Sequence, residues 1–322
     1  MSYMDDIFVR NCESILRHGS TDEDLAVRPH WQDGTPAHTS MIFNQCNTYQ
    51  LTKHSIPVLT LRKINFKACV DEILWIYQKT SNRVADLNSH IWDAWADENN
   101  TIGKAYGYQI AQRYRHHIYT PGEDLTDYPS ASVYGKDFQE LILGYHSDIP
   151  DNTKWVYMNQ IDAVIWSLRN NPADRGIITN MYNHQDLADM GLRPCAYSLT
   201  FNVENRNDKK YLHMLLNQRS QDMIVANGWN ITQYAVLQQM IAQVCDMLPG
   251  SLTHMVANMH IYDRHRGLAQ KMITDWECNR SYANPEFWIN PEIKRFRDFT
   301  VDDVKLIDYK YIDRDDKIEV AI

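Results

Sequence analysis

Two residues in this chain could form a covalent centre if the fold brings them together. Cys195 closes Arg193-Pro194-Cys195 and opens an alternating run, and Arg219 lies in Gln218-Arg219-Ser220-Gln221-Asp222. A thiol attacks only as its thiolate, and a cation beside it lowers its pKa. A hairpin between them would bring Arg219 back beside Cys195. A lone cysteine is more often an inert core thiol, so the pairing carries the suggestion. Glu72, within KACVDEILWIYQ at 67–78, reads from its own residues as a solvated helix charge, as carboxylates mostly are.

Helices and strands must position these groups. Residues 3–18 pattern as a helix, with Ile7, Ile15 and Leu16 among polar residues. In 67–78, Val70, Ile73, Leu74 and Tyr77 recur at spacings of 3, 1 and 3, one apolar helical face. In 231–248, Tyr234, Leu237, Ile241, Val244 and Leu248 recur at 3, 4, 3 and 4, with Pro249-Gly250 as the stop. Residues 196–203 alternate as a strand, ENRNDKK turns, and YLHMLLNQRS leads back. A third strand is expected at 254–262, and 113–154, with three prolines, as a surface insertion that includes a solvated His116-His117. The class is therefore α+β, with a largely antiparallel or mixed sheet and packed helices.

Composition limits the function. The 322 residues are 44% apolar and 23% charged, as in an ordinary globular protein, which excludes a coiled coil and a disordered chain. The net charge of −9 lacks the basic footprint of a nucleic-acid binder, although a few arginines in one cleft still suit a small anion. Six cysteines, at 12, 46, 69, 195, 245 and 278, form no CxxC pair, so neither a metal site nor a disulfide framework is expected. Cys69 and Cys245 pattern as buried free thiols, which fits a reducing cytoplasm. MSYMDDIFVR lacks the apolar core of a signal peptide, and no apolar run is long enough to span a membrane.

Several motifs occur together in one order: DEILWIYQ at 71–78, HIWDAWADEN at 90–99, GKAYGYQ at 103–109, PCAY at 194–197, NQRSQDM at 217–223, GWNITQYAVLQQMIAQV at 228–244 and HIYDRH at 260–265. In this the chain resembles the folate-dependent thymidylate synthases, over roughly 28–110 and 155–322. DGTPAHT at 33–39 and the closing FTVDDVKLIDY resemble a bacterial and phage subgroup. The resemblance implies one catalytic domain over 1–322 and a homodimer joined through a sheet face. It implies methylation of deoxyuridylate (dUMP) by 5,10-methylenetetrahydrofolate, a co-substrate that also supplies the hydride, so that no nicotinamide cofactor or metal is needed.

It also implies roles. Cys195 is the nucleophile, Glu72 and Tyr106 handle the proton at C5, and Asn230, both donor and acceptor, reads the N3–H and O4 edge of uracil. Arg28, Gln218, Arg219, Ser220, Asp222, His260 and Tyr262 line the nucleotide, with Arg219 also steadying the thiolate. Arg175 crosses from the partner subunit. Ile91, Trp92, Trp95, Leu192, Asp222, Val225, Ala226 and Trp229 line the folate, and Ala321 and Ile322 close over the ligands. From its position before an apolar run, Asn230 could equally be a helix N-cap.

The chain departs from the family pattern at Gly176, where a second phosphate arginine usually stands, at Ala196 for histidine, at Ala226 for glycine, and at Gly228-Trp229 for proline-phenylalanine. Two alternatives share the site. In a nucleotide hydroxymethylase, water captures the exocyclic methylene, and Asn230 disfavours its cytosine form. A catalytically silent nucleotide- or RNA-binding paralogue would have little use for Cys195, Glu72 and Tyr106.

Overall fold

The computed structural model describes residues 2–121, 143–145, 154–316 and 318–322, with 143–145 as backbone alone. Helix α1 (Tyr3–His18) matches the expected bounds. Ser2 caps it by accepting from Met4 N, Asp5 and Asp6 occupy its first turn, and Arg17 and His18 its last, all favourable to the helix dipole. Helix α2 (Phe66–Tyr77) is capped by Asn65. A short α3 (Gly107–Ala111), α4 (Gln160–Asn170), α5 (Gly228–Val244) and α6 (Arg266–Glu277) follow.

The main sheet has six strands: β1 (Ser20–Thr21), β2 (Thr39–Gln50), β6 (Ile178–Asn180), β7 (Ala196–Arg206), β8 (Lys209–Asp222) and β9 (Leu248–Tyr262). Their order is β1-β2-β9-β8-β7-β6. Only the β8–β9 pair is parallel, so the sheet is mixed and mostly antiparallel, as expected. Strands β3 (Arg113–Ile118), β4 (Leu143–Tyr145) and β5 (Lys154–Asn159) form a separate sheet, and β10 (Glu286–Ile289) pairs with β11 (Val304–Ile307). Helix α5 packs on β8 and β9, and α2 packs on α5. Among the described residues no helix is long and apolar enough to cross a membrane.

Four sequence expectations change. Beyond its first turn helix α2 has no solvent face: every residue from Cys69 to Tyr77 is buried. Helix α5 ends at Val244, before Pro249-Gly250. Asp246, at φ +53°, turns the chain, and Leu248 already pairs with Tyr211. Asn230 lies inside the first turn of α5 and is not its cap. The expected insertion supplies β3 and β4, both paired with β5 at its far border, and His116 and His117 are half-buried rather than solvated. His117 stacks on Trp166 at 4.4 Å and His116 meets that ring edge-on at 4.9 Å, because an imidazole beside an indole buries its apolar face. The remainder, 122–142 and 146–153, lies outside the described residues.

Candidate active site

Strand direction gathers the site. Because β8 and β9 run parallel and β7 antiparallel to them, the start of β7 and the ends of β8 and β9 meet at one end of the sheet. Ala196 pairs with Gln218, and Asp222 with His260. Cys195, Gln218–Asp222 and His260–Tyr262 are thereby brought together.

The hairpin returns Arg219 to Cys195. Arg219 N donates to Cys195 O at 2.9 Å, its Nε to Pro194 O at 3.0 Å and its Nη2 to Arg193 O at 2.7 Å. These bonds anchor the guanidinium with Nη2 3.7 Å from Cys195 Sγ. The expected pairing is present, yet the thiol is not lowered overall. Burial raises its pKa above the ordinary value, while Arg219, then Arg28, then the Tyr106 hydroxyl draw it back in part. Arg28 is exposed, but its charge also acts on Tyr262.

Tyr106 joins this centre to the second one. Its hydroxyl accepts from Cys195 N at 3.1 Å, and its ring meets Trp92 edge-on at 5.1 Å. Its backbone sits at φ +47°, a region an aromatic residue rarely adopts, held there by the loop around it. A Cβ on Gly103 (φ +64°) would come 2.0 Å from Asp189 O, and one on Gly107 2.0 Å from Ser81 O. Only glycine allows those approaches.

Glu72 is buried between two indoles. Trp92 Nε1 donates to its Oε1 at 2.7 Å and Trp229 Nε1 to its Oε2 at 2.5 Å. Burial raises its pKa to about 7, against the partial pull of these donors. Trp92 and Trp229, expected on the folate side, thus hold the carboxylate. Gly228 lets Trp229 in: a Cβ there would come within 3.1 Å of Leu59 and 3.0 Å of Ile64. Trp95 meets Trp92 edge-on at 5.5 Å, and its Nε1 is buried without a protein partner. Ile91 is exposed, and Leu192, Val225 and Ala226 are half-buried.

Asn230 Oδ1 faces the amide nitrogens of Gln218 and Gln221 at 3.3 and 3.4 Å. Ser220 is half-buried beside Arg219. Asp222 uses Oδ1 to accept from Ile224 N and Val225 N, leaving Oδ2 as its free edge. His260 Nδ1 pairs with Asn258 Oδ1 at 2.8 Å, and its ring stands edge-on to Tyr262 at 5.1 Å. Burial lowers the pKa of His260, with Asp222 opposing. Ile322 exchanges two backbone hydrogen bonds with His30, so Ala321-Ile322 are fastened beside the Arg28 loop. Arg175 is exposed on the turn between α4 and β6.

Sequence inspection missed Gln221, His254, Asn258 and His30. His254 had a signal: with Leu252 and Val256 it occupies the inward positions of an alternating strand, where an imidazole needs a partner. Among the described residues no group of three or more His, Cys, Asp or Glu is placed to hold a metal.

A family model described as thymidylate synthase matches residues 6–322. Thymidylate synthase 1 of Bacillus subtilis (strain 168) is 35% identical over 306 residues, covering 94% of this chain and 93% of its own. The thymidylate synthase of Bacillus phage phi3T gives the same identity and coverage. That of Bacillus licheniformis is 35% identical over 318 residues, 98% of each chain. The solved thermostable thymidylate synthase A from Bacillus subtilis superposes with a TM-score of 0.80 at 34% identity, over 99% of both chains. A family model matched over almost the whole chain, relatives at 35% identity over nearly their full length and a superposable fold together show that the chain belongs to the thymidylate synthase family.

Proposed function

We propose that the chain converts dUMP and 5,10-methylenetetrahydrofolate to thymidylate and dihydrofolate. The carrying observation is Arg219 Nη2 at 3.7 Å from Cys195 Sγ, with Tyr106 linking that thiol to the Glu72 pocket. Cys195, as thiolate, adds to C6 of uracil and makes C5 a carbon nucleophile. C5 bonds to the one-carbon unit of the folate. The C5 proton leaves to a base served by Glu72 and Tyr106, and tetrahydrofolate departs. It then returns a hydride to the exocyclic methylene, and the thiolate is expelled from C6.

Each residue fits its part. Arg28, Arg219 and Ser220 suit the dianionic phosphate, and His260 and Tyr262 the sugar hydroxyl. Asn230 reads the base. Trp95 offers an aromatic face to the folate ring, and Asp222 keeps one carboxylate oxygen for it. Leu192, Val225, Ala226 and Ile91 border the same side. The whole chain forms one catalytic unit, and Arg175 of the partner subunit completes the phosphate site of a homodimer. Exposed Met255 (38%), opposite exposed Cys46 on the β2–β9 pair, supports a sheet-face interface. Six unpaired cysteines support a cytoplasmic setting.

Incubation of the purified protein with dUMP and methylenetetrahydrofolate, followed by mass analysis of the nucleotide, tests the proposal. Thymidylate is expected. A 5-hydroxymethyl nucleotide would mean that water, not hydride, captures the methylene, and unchanged dUMP would mean a silent paralogue. The buried, indole-lined carboxyl and the fastened C-terminus favour the hydride route by excluding water.

A further inference from the structure

The amide of Asn230 is held in one orientation, and the hold reaches into the core of the sheet. Gln218 Nε2 lies 2.9 Å from Ser220 O, and Gln221 Nε2 3.0 Å from Asp222 O. A backbone carbonyl only accepts, so each of these glutamine atoms is a nitrogen. The same two nitrogens face Asn230 at 3.3 and 3.4 Å. Two donors require an acceptor, so Asn230 turns Oδ1 to them and Nδ2 to the opposite edge. At its other atom, Gln218 Oε1 lies 2.9 Å from Nε2 of His254. His254 has no solvent exposure, lies on β9 opposite Leu216, and its Nδ1 has no partner. Burial presses its pKa down to about 3, so the ring is neutral with a single N–H. Opposite the Gln218 oxygen, that proton sits on Nε2.

We infer that His254 is a positioning residue for base selection: through Gln218, and together with Gln221, it fixes the one Asn230 orientation that accepts from N3–H and donates to O4. This rests on dUMP being the substrate. Cytosine presents an acceptor at N3 and a donor at N4, and would need the Asn230 amide turned over. Turned over, its N–H groups would face those of both glutamines. Gln218 cannot follow, because its own turn would strip Ser220 O of a donor and set N–H against the His254 N–H. Moving the imidazole proton to Nδ1 would bury a donor with no acceptor.

The test compares kcat/KM for dUMP and the cytosine nucleotide dCMP in the wild type, His254→Phe and His254→Gln. The wild type should turn over dUMP; failure there would defeat the functional proposal itself. In His254→Phe the dUMP-to-dCMP ratio should fall by about tenfold, the size of one lost buried hydrogen bond. His254→Gln, whose amide can still donate to Gln218, should recover most of the ratio. If His254 only fills space, both substrates lose activity in proportion and the ratio stays fixed, which would overturn the inference. Should neither variant fold, long-range proton–nitrogen NMR of the wild type decides. Nε2–H at His254 supports the inference, and Nδ1–H refutes it whatever the substrate.

Discussion

Cys195 and Glu72 are both acids taken out of water, and the fold treats them differently. Around Cys195 the compensating groups are cations: Arg219 at 3.7 Å, with Arg28 beyond it. Around Glu72 they are two neutral indole N–H groups at 2.7 and 2.5 Å. Desolvation is the largest influence on each, and it wins on both. A cation favours the charged form through space and is supplemented by any further charge that arrives or leaves. An indole N–H acts only on the atom it touches. With the phosphate role proposed for Arg219, the thiol is the acid whose state a bound nucleotide would alter, by sharing that arginine. Glu72, near neutrality at about 7, is poised to exchange a proton whatever binds at the phosphate end.

The most severe way to break this comparison removes an acid altogether. Cys195→Ser should reduce turnover to background while dUMP still binds, because phosphate and base contacts remain. Equilibrium dialysis beside the turnover assay checks both halves, and the covalent adduct of 5-fluoro-dUMP and folate should map to Cys195 by mass. An adduct on Cys46 or Cys278, the exposed thiols, would reassign the nucleophile. Glu72→Gln should cost roughly 10²–10⁴-fold in kcat, the usual worth of a positioned proton-transfer group. Its KM for dUMP should change little, since Glu72 touches indoles and not the phosphate arginines. A large rise in KM with kcat retained would make Glu72 a binding residue instead.

The two acids were unequally legible in the sequence. Cys195 with Arg219 could be read because a hairpin is local: alternation, a polar turn and a returning strand place one beside the other. Glu72 reads from its own residues as a solvated helix charge; only the family resemblance points to its role, and nothing local points to its partners. Trp92 and Trp229 lie 20 and 157 residues away; the packing of α2 on α5 aims the second, and the loop after α2 brings in the first. Periodicity gave α2 one face, whereas α5 and the elements around it cover every side. Pro249-Gly250 reads as a helix stop, although parallel pairing of β9 with β8 begins at Leu248. The positive φ of Tyr106 had no local signal beyond its flanking glycines. His254 was overlooked because its partner, Gln218, belongs to a strand reached only through the β8–α5–β9 crossover.

Replacing one indole by a smaller aromatic ring without a donor sharpens the comparison. Trp229→Phe keeps an aromatic face and removes the donor to Glu72 Oε2. That donor favours the ionised carboxylate, so its loss moves the pKa upward from about 7. A hydrogen bond to a charged group is worth about 1.5–3 kcal/mol, and 1.36 kcal/mol corresponds to one pH unit. If the ionised form is the active base, the acidic limb of the kcat profile should move up by about one pH unit or more. Activity at neutral pH should fall accordingly and recover on the alkaline side. The alkylation of Cys195 by iodoacetamide should keep its pH dependence, because that thiol answers to arginines. A profile unchanged in kcat would show that the indole packs against Glu72 without tuning it.

The smallest expected effect comes from adding charge at the phosphate end. Gly176 stands where the family usually has a second arginine, and its backbone does not require glycine. Its φ is not in the left-handed region, and an added Cβ would meet only the Asp174 side chain, at 3.3 Å from Oδ1. Gly176→Arg should therefore fold normally and tighten dUMP binding by a few-fold, short of the roughly tenfold that 1.4 kcal/mol would give, because Asp174 competes for the new guanidinium. The gain should shrink in high salt, as an exposed charge pair is screened, and vanish for deoxyuridine, which has no phosphate. Calorimetric titration at two salt concentrations reads both. The acidic limb set by Glu72 should not move, because the indoles that tune it are untouched. Weaker dUMP binding in the variant would mean that another cation already serves the phosphate there.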